Sequence, residues 1–188
     1  MKRLLLQVPI ILLLTLSCSK RTDPAENVTK YYNAFNNSDY DQVKALITDS
    51  ITIISRDYIM PYSAESYYEH FKWDSVFQPT YKLLELEELG DQLIATVEVN
   101  SLRFEFLENN PLTCKHKISF KAGKLAKFES LDCMGADWEL WQKKIDSLVS
   151  WVNIHHPELN GFIHDLTMKG AVNYLKAIEL YENSKTGP

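Results

Sequence analysis

The hydrophobic period of this chain changes at Thr80, and that change limits the folds open to it. Upstream, Val28, Tyr31, Tyr32 and Phe35 recur at helical spacing; downstream, Leu84 and Leu86 alternate with Glu85 and Glu87. After a turn at Gly90-Asp91, Leu93, Ala95, Val97 and Val99 alternate with Thr96 and Glu98 and lead on into Leu102, Phe104 and Phe106. Asn109-Asn110-Pro111 then turns the chain into KHKISFKAGKLAKFE, two strands about Ala122-Gly123-Lys124. Helices followed by a meander of long antiparallel strands predict an α+β domain with helices packed on one face of the sheet. With 188 residues, 45% of them apolar, the chain is long enough to bury one substantial core, and a second full domain is not expected.

Helix punctuation supports this order. Asp23-Pro24-Ala25-Glu26 supplies an N-cap acceptor, a first-turn proline and an early acid, and Asn36-Asn37-Ser38 ends the helix it starts. Residues 39–47 predict a second short helix with Tyr40, Val43, Leu46 and Ile47 on one side. Residues 50–58 are rich in β-branched side chains and read as a strand, and Ser63 opens a third helix through Tyr67 and Phe71. Beyond Cys133, one stripe carries Trp138, Trp141, Ile145, Leu148, Val149 and Val152. Pro157 restarts a short helix, and Thr167 caps another whose Met168, Ala171, Val172, Leu175 and Ile178 face inward.

The N-terminus has a different composition. Met1-Lys2-Arg3 is basic, and residues 4–16 are apolar except for Gln7, Pro9 and Thr15. That run is too short for a membrane span, which takes about 20 apolar residues, and fits a secretory h-region. Ser17 and Cys18 follow, then Ser19-Lys20-Arg21-Thr22. The pattern resembles the bacterial lipoprotein signal, in which a lipobox ends on an acylated cysteine; Leu16 departs from the small residue usual there. The resemblance implies a signal peptide at 1–17, acyl chains on Cys18 that attach the protein to a membrane, and a tether at 18–22. Ser19 after the cysteine implies passage to the outer membrane of the cell envelope. Losing Lys2 and Arg3 takes the net charge from −5 to −7, which argues against nucleic acid as a partner.

Two more cysteines, Cys114 and Cys133, flank the last hairpin. A Gly123-Lys124 loop would set them directly opposite, an Ala122-Gly123 loop diagonal on one face, and a three-residue loop on opposite faces. Export favours a disulfide between them, and two buried thiols are the alternative. His155-His156-Pro157-Glu158 and His164-Asp165 lack the i, i+4 histidine spacing of a helical metal site, so no metal or cofactor is expected.

YYNAFNNSDYDQVKALITDSITI, the helix after Ser63 and ISFKAGKLAKFE together resemble the nuclear-transport-factor-2-like (NTF2-like, SnoaL-like) superfamily. The resemblance implies a bent sheet wrapped by N-terminal helices into a cone over residues 23–133, with a pocket at the wide end. Residues 134–188 then form a helical extension that covers the sheet or pocket mouth, or makes a dimer seam. In isomerase-type members a tyrosine donor would fall on Tyr31, a second donor near His116, and the carboxylate base near Ser55, two residues before Asp57. Serine is no base, so the expected activity is binding of a small apolar ligand or an envelope protein partner. Tyr31, Tyr32, Phe35, Tyr67, Phe71 and Phe104 are the candidate lining residues. The alternatives are an isomerase or dehydratase using Asp57, Tyr31 and His116, or a structural interaction protein.

Overall fold

The structure is a computed structural model that describes residues 23–55 and 58–185. Three helices lead: α1 (Pro24–Asn36), α2 (Tyr40–Leu46) and α3 (Ala64–Ser75). The hairpin of β1 (Ile47–Ser55) and β2 (Tyr58–Ser63) lies between the second and third. A meander of β3 (Thr80–Leu89), β4 (Gln92–Asn100), β5 (Leu112–Lys121) and β6 (Lys124–Met134) follows, with a short α4 (Leu102–Phe106) between β4 and β5. Two long helices, α5 (Trp138–His155) and α6 (Met168–Lys185), complete the described chain. Side chains start the helices as their sequences predict. Asp23 accepts from the Ala25 amide at 3.0 Å, Asp39 from Gln42 at 3.0 Å, and Ser63 from Ser66 at 3.2 Å. Thr167 receives the Gly170 amide at 3.3 Å.

The strands form one open six-stranded sheet in the order β2-β1-β6-β5-β4-β3. The meander is antiparallel throughout, whereas β1 joins β6 in parallel, Ile53 beside Phe128. Register shifts in β1/β6, β3/β4 and β5/β6 mark bulges, which bend a sheet and strengthen its twist. The result is the α+β architecture expected from the sequence, a bent sheet wrapped by helices, with α1 and α3 against its concave face.

Five local readings are corrected, the first on α6, where Met168 and Val172 do not face inward but are 46% and 48% exposed. Residues 50–58 are not one strand: β1 starts earlier and the chain turns back into β2. Leu102, Phe104 and Phe106 do not extend β4, because Ser101 caps a helical turn by accepting from the Phe104 amide at 3.2 Å. Leu84 does not face the core. Leu83 pairs with Val97, but Glu85 already pairs with Thr96; this bulge turns Leu84 outward, 44% exposed, while Leu83 and Leu86 pack inward. The last hairpin turns on Ala122-Gly123, with φ of 51° and 78°, as a two-residue turn with both central residues left-handed requires. That loop alone would set the cysteines diagonally. Shifts at Ser119/Phe120 and at Cys114/His116 instead bring Cys114 opposite Cys133, with Sγ atoms 1.95 Å apart.

Two apolar clusters fill the molecule. The first lies between α1, α3 and the sheet and holds Val28, Tyr31, Ile51, Tyr67, Ala95, Val97, Ile118 and Leu125. The second holds Trp73, Phe77, Phe106, Leu148, Val152, Phe162, Ala171 and Tyr174, joining α3 and α4 to α5 and α6. Trp141 packs against both.

Candidate functional site

Helical spacing on α1 aims Tyr31, Tyr32 and Phe35 at the concave sheet face, and α3 brings Tyr67 and His70 to the same place. Together with Ile53, Tyr81, His116, Phe128 and Ser130 they line a cavity of about 120 Å³. Four of its polar side chains are paired with one another. The Tyr31 and Tyr67 hydroxyls bond to each other, and the Tyr32 hydroxyl meets His116 Nδ1 at 3.0 Å. Tyr31 stacks on Phe128 of β6, centroids 4.8 Å apart, and Tyr67 lies edge-on to Tyr62 at 5.6 Å.

Tyr81 is held from three sides. The Asn36 side chain, last in α1, accepts from the Tyr81 amide at 2.7 Å and donates to its carbonyl at 2.8 Å. The Tyr81 hydroxyl donates to Asp74 Oδ2 at 2.5 Å. Its ring sits beside Tyr32 and Phe35, at 5.7 and 5.5 Å. Asp74 lies behind this wall, lining a shallow outer groove of about 360 Å³ with Asn36, Phe71 and Thr80.

Burial governs the electrostatics. It raises the Tyr31, Tyr32 and Tyr67 hydroxyls well above the usual phenol range, with neighbouring tyrosines adding to the effect for Tyr31 and Tyr32. Tyr81 is raised by burial and then by the Asp74 charge. Burial also raises Asp74, against its hydrogen bond from Tyr81 and the nearby charges of His70 and Arg103. His116 falls to about 4 on desolvation, and burial lowers His70 as well, in opposition to Asp74. At neutral pH the described cavity wall is therefore polar but uncharged.

Of the expected residues, Tyr31, Tyr32, Phe35, Tyr67 and His116 meet at the cavity. Phe71 does not reach it; it packs edge-on to Phe35 at 4.9 Å and lines the outer groove. Phe104 is also elsewhere, since the α4 turn points it at Trp141, 5.6 Å away. Ser55 pairs with Tyr58 and Ser130 on the sheet, and Asp57 and Cys18 lie outside the described residues. The sequence reading missed His70, Asp74 and Tyr81. His70 and Asp74 stand i, i+4 on α3, a spacing that puts both on one helix face and could have flagged them. His156 Nδ1 meets Glu158 Oε1 at 3.1 Å, and no cluster of three metal-ligating side chains occurs among the described residues. No helix among them is long and apolar enough to cross a membrane.

No protein-family model and no curated protein sequence matches the chain. Solved structures do match. Bal32a, from a soil-derived mobile gene cassette, aligns with a TM-score of 0.51 at 18% identity, covering 64% of this chain and 94% of its own. A "putative polyketide cyclase" from Sinorhizobium meliloti aligns at 0.50 and 16%, covering 58% of this chain and 100% of that one. IdmH of Streptomyces antibioticus, described in the same words, aligns at 0.50 and 13%, covering 66% and 99%. At these identities the likeness is one of architecture alone: an α+β fold whose bent, open sheet is wrapped by helices.

Proposed function

We propose that this chain is a lipid-anchored protein of the bacterial cell envelope whose cone binds one small uncharged ring-sized molecule without transforming it. The observation behind this reading is the chemistry of the cavity wall: phenols, two imidazoles and a serine hydroxyl among apolar rings, with no carboxylate among the described lining residues. Moving a proton beside a carbonyl takes a base poised near the working pH. Burial weakens both imidazoles as bases, and the phenols keep their protons. Size points the same way. An apolar cavity of about 150 Å³ accommodates benzene, whereas pockets for larger ligands run to about 300–1,000 Å³. The cyclase activity in the names of two structural neighbours is therefore not extended to a cavity of about 120 Å³.

The anchor rests on the N-terminal pattern that ends at Cys18. Because α1 is capped by Asp23, four residues separate that cysteine from the first helix cap. Several acyl chains on one residue give durable attachment. Two measurements test the proposal. Titration of the mature protein with phenol, followed by NMR of the tyrosine rings, should saturate, and Asp57→Asn should leave the affinity unchanged. An isomerase activity lost in Asp57→Asn would overturn the non-catalytic reading. Cys18→Ser should abolish labelled palmitate incorporation and release the protein from membranes; retained labelling overturns the anchor.

A further inference from the structure

We infer that the cavity selects ligands that donate a hydrogen bond, small phenols and aromatic amines, because the Tyr81 oxygen faces it as a fixed acceptor. The inference rests on the reading of this cavity as a ligand site. Tyr81 lines the cavity and Asp74 lines the groove behind it, so the 2.5 Å hydrogen bond between them crosses the wall. A phenol is a far weaker acid than a carboxyl group, so the shared proton stays on Tyr81 and points away from the cavity toward an oxygen that only accepts. Asn36 fixes the Tyr81 backbone at both its amide and its carbonyl, and the Tyr32 and Phe35 rings flank the side chain. The ring is therefore held in place, and the Asp74 carboxylate keeps the hydroxyl proton turned toward the groove. What it offers the cavity is a lone pair.

Counting the remaining protons completes the pattern. Tyr31 and Tyr67 share one hydrogen bond, which uses one of their two hydroxyl protons and leaves the other to donate. Tyr32 and His116 satisfy each other. A ligand hydroxyl or amine, donating to Tyr81 and accepting from the Tyr31–Tyr67 pair, matches both fittings. A hydrocarbon matches neither, and a ring that only accepts leaves Tyr81 unpaired. Leaving a desolvated acceptor without a donor is what makes such sites reject analogues lacking one group.

The test uses near-isosteric probes on the full mature chain at neutral pH, read by isothermal calorimetry or ligand-observed NMR. Phenol and aniline should bind at least about tenfold more tightly than toluene. Tyr81→Phe should bring phenol down to the toluene level while leaving toluene unchanged. Asp74→Ala removes the acceptor that holds the Tyr81 proton, freeing that proton to face inward. Phenol should then lose its advantage, and pyridine, which only accepts, should gain affinity. Equal binding of toluene and phenol to the unaltered protein overturns this inference and leaves the ligand-site reading standing. Failure of every probe to bind overturns both. An unchanged phenol preference in Asp74→Ala overturns the fixed acceptor.

Discussion

In the cone, Tyr31 is bonded to Tyr67, Tyr32 to His116 and Tyr81 to Asp74. In the helical cluster, Trp73 Nε1 and Tyr174 Oη are buried with no hydrogen-bond partner among the described residues. Thr96 Oγ1 on β4 shares that state, away from the cavity. The two regions use the same residue types for different ends. Around the cavity each of these four tyrosine hydroxyls has a mate, which fixes ring orientation. In the helical cluster the rings act by shape and charge: Arg103 Cζ lies 4.9 Å from both the Trp73 and Phe104 centroids and 5.8 Å from Trp141. That guanidinium bridges α3, α4 and α5 through rings, so this half adheres where the other discriminates.

The comparison can be broken in several places. Phe77 is 1% exposed and lies edge-on to both Trp73 and Tyr174, at 5.0 and 5.5 Å. Phe77→Ala should cost about 3–5 kcal/mol in urea unfolding; a loss under about 1 kcal/mol would show that the helical cluster is only loosely docked. On the cone side, a Cys114–Cys133 bridge spans a sequence separation of 19. Changing both residues to alanine should lower stability by about 3 kcal/mol, the value for a loop of that length, and reductant should no longer shift the melting temperature.

Protonation comes next. Burial lowers His116 from 6.5 to about 4, so between those values the unfolded chain binds the extra proton. Stability is full above pH 6.5 and is lost as pH falls through 6.5 toward 4, by an amount on the order of 2 kcal/mol for a partly exposed ring. His116→Gln should flatten that slope in denaturation curves collected across the range. The smallest effects give the sharpest contrast. Tyr67→Phe strips Tyr31 of its mate and should cost about 1–2 kcal/mol. The same change at Tyr174 removes a hydroxyl with no partner and should stay within about 0.5 kcal/mol of neutral, or stabilise. Equal costs for the two would erase the distinction.

Much of the cone could be read from residue spacing, and the misreadings have local causes. The i, i+3, i+4 aromatics of α1 and the alternation of β4 name inward faces directly, and Leu93, Ala95, Val97 and Val99 are all buried. Bulges defeat such counting. Leu84 keeps its place in the alternation but lies past a shift that reverses its face. Leu102, Phe104 and Phe106 fit a strand as written, yet the Ser101 cap and the ring cage around Arg103 favour a helical turn. At the candidate site, Tyr31, Tyr32, Phe35 and Tyr67 were legible because they sit on regular helices with apolar neighbours, whereas His116 came from the resemblance alone. Asp74 stands near a helix end with nothing in the sequence to single it out; only the fold shows that Asn36 lays Tyr81 across it.

The sheet order carries a kinetic consequence. The last strand of the meander, β6, alone joins the β1–β2 hairpin to the remaining strands. Residues 47–63 must therefore wait, unpaired on one edge, until residue 124 and beyond have emerged and can close a loop of roughly 70 residues. Closing so distant a parallel pairing slows folding and prolongs the life of an exposed strand edge. A chain cut short before Lys124 would be left as two separate β fragments, each with an edge open to other chains.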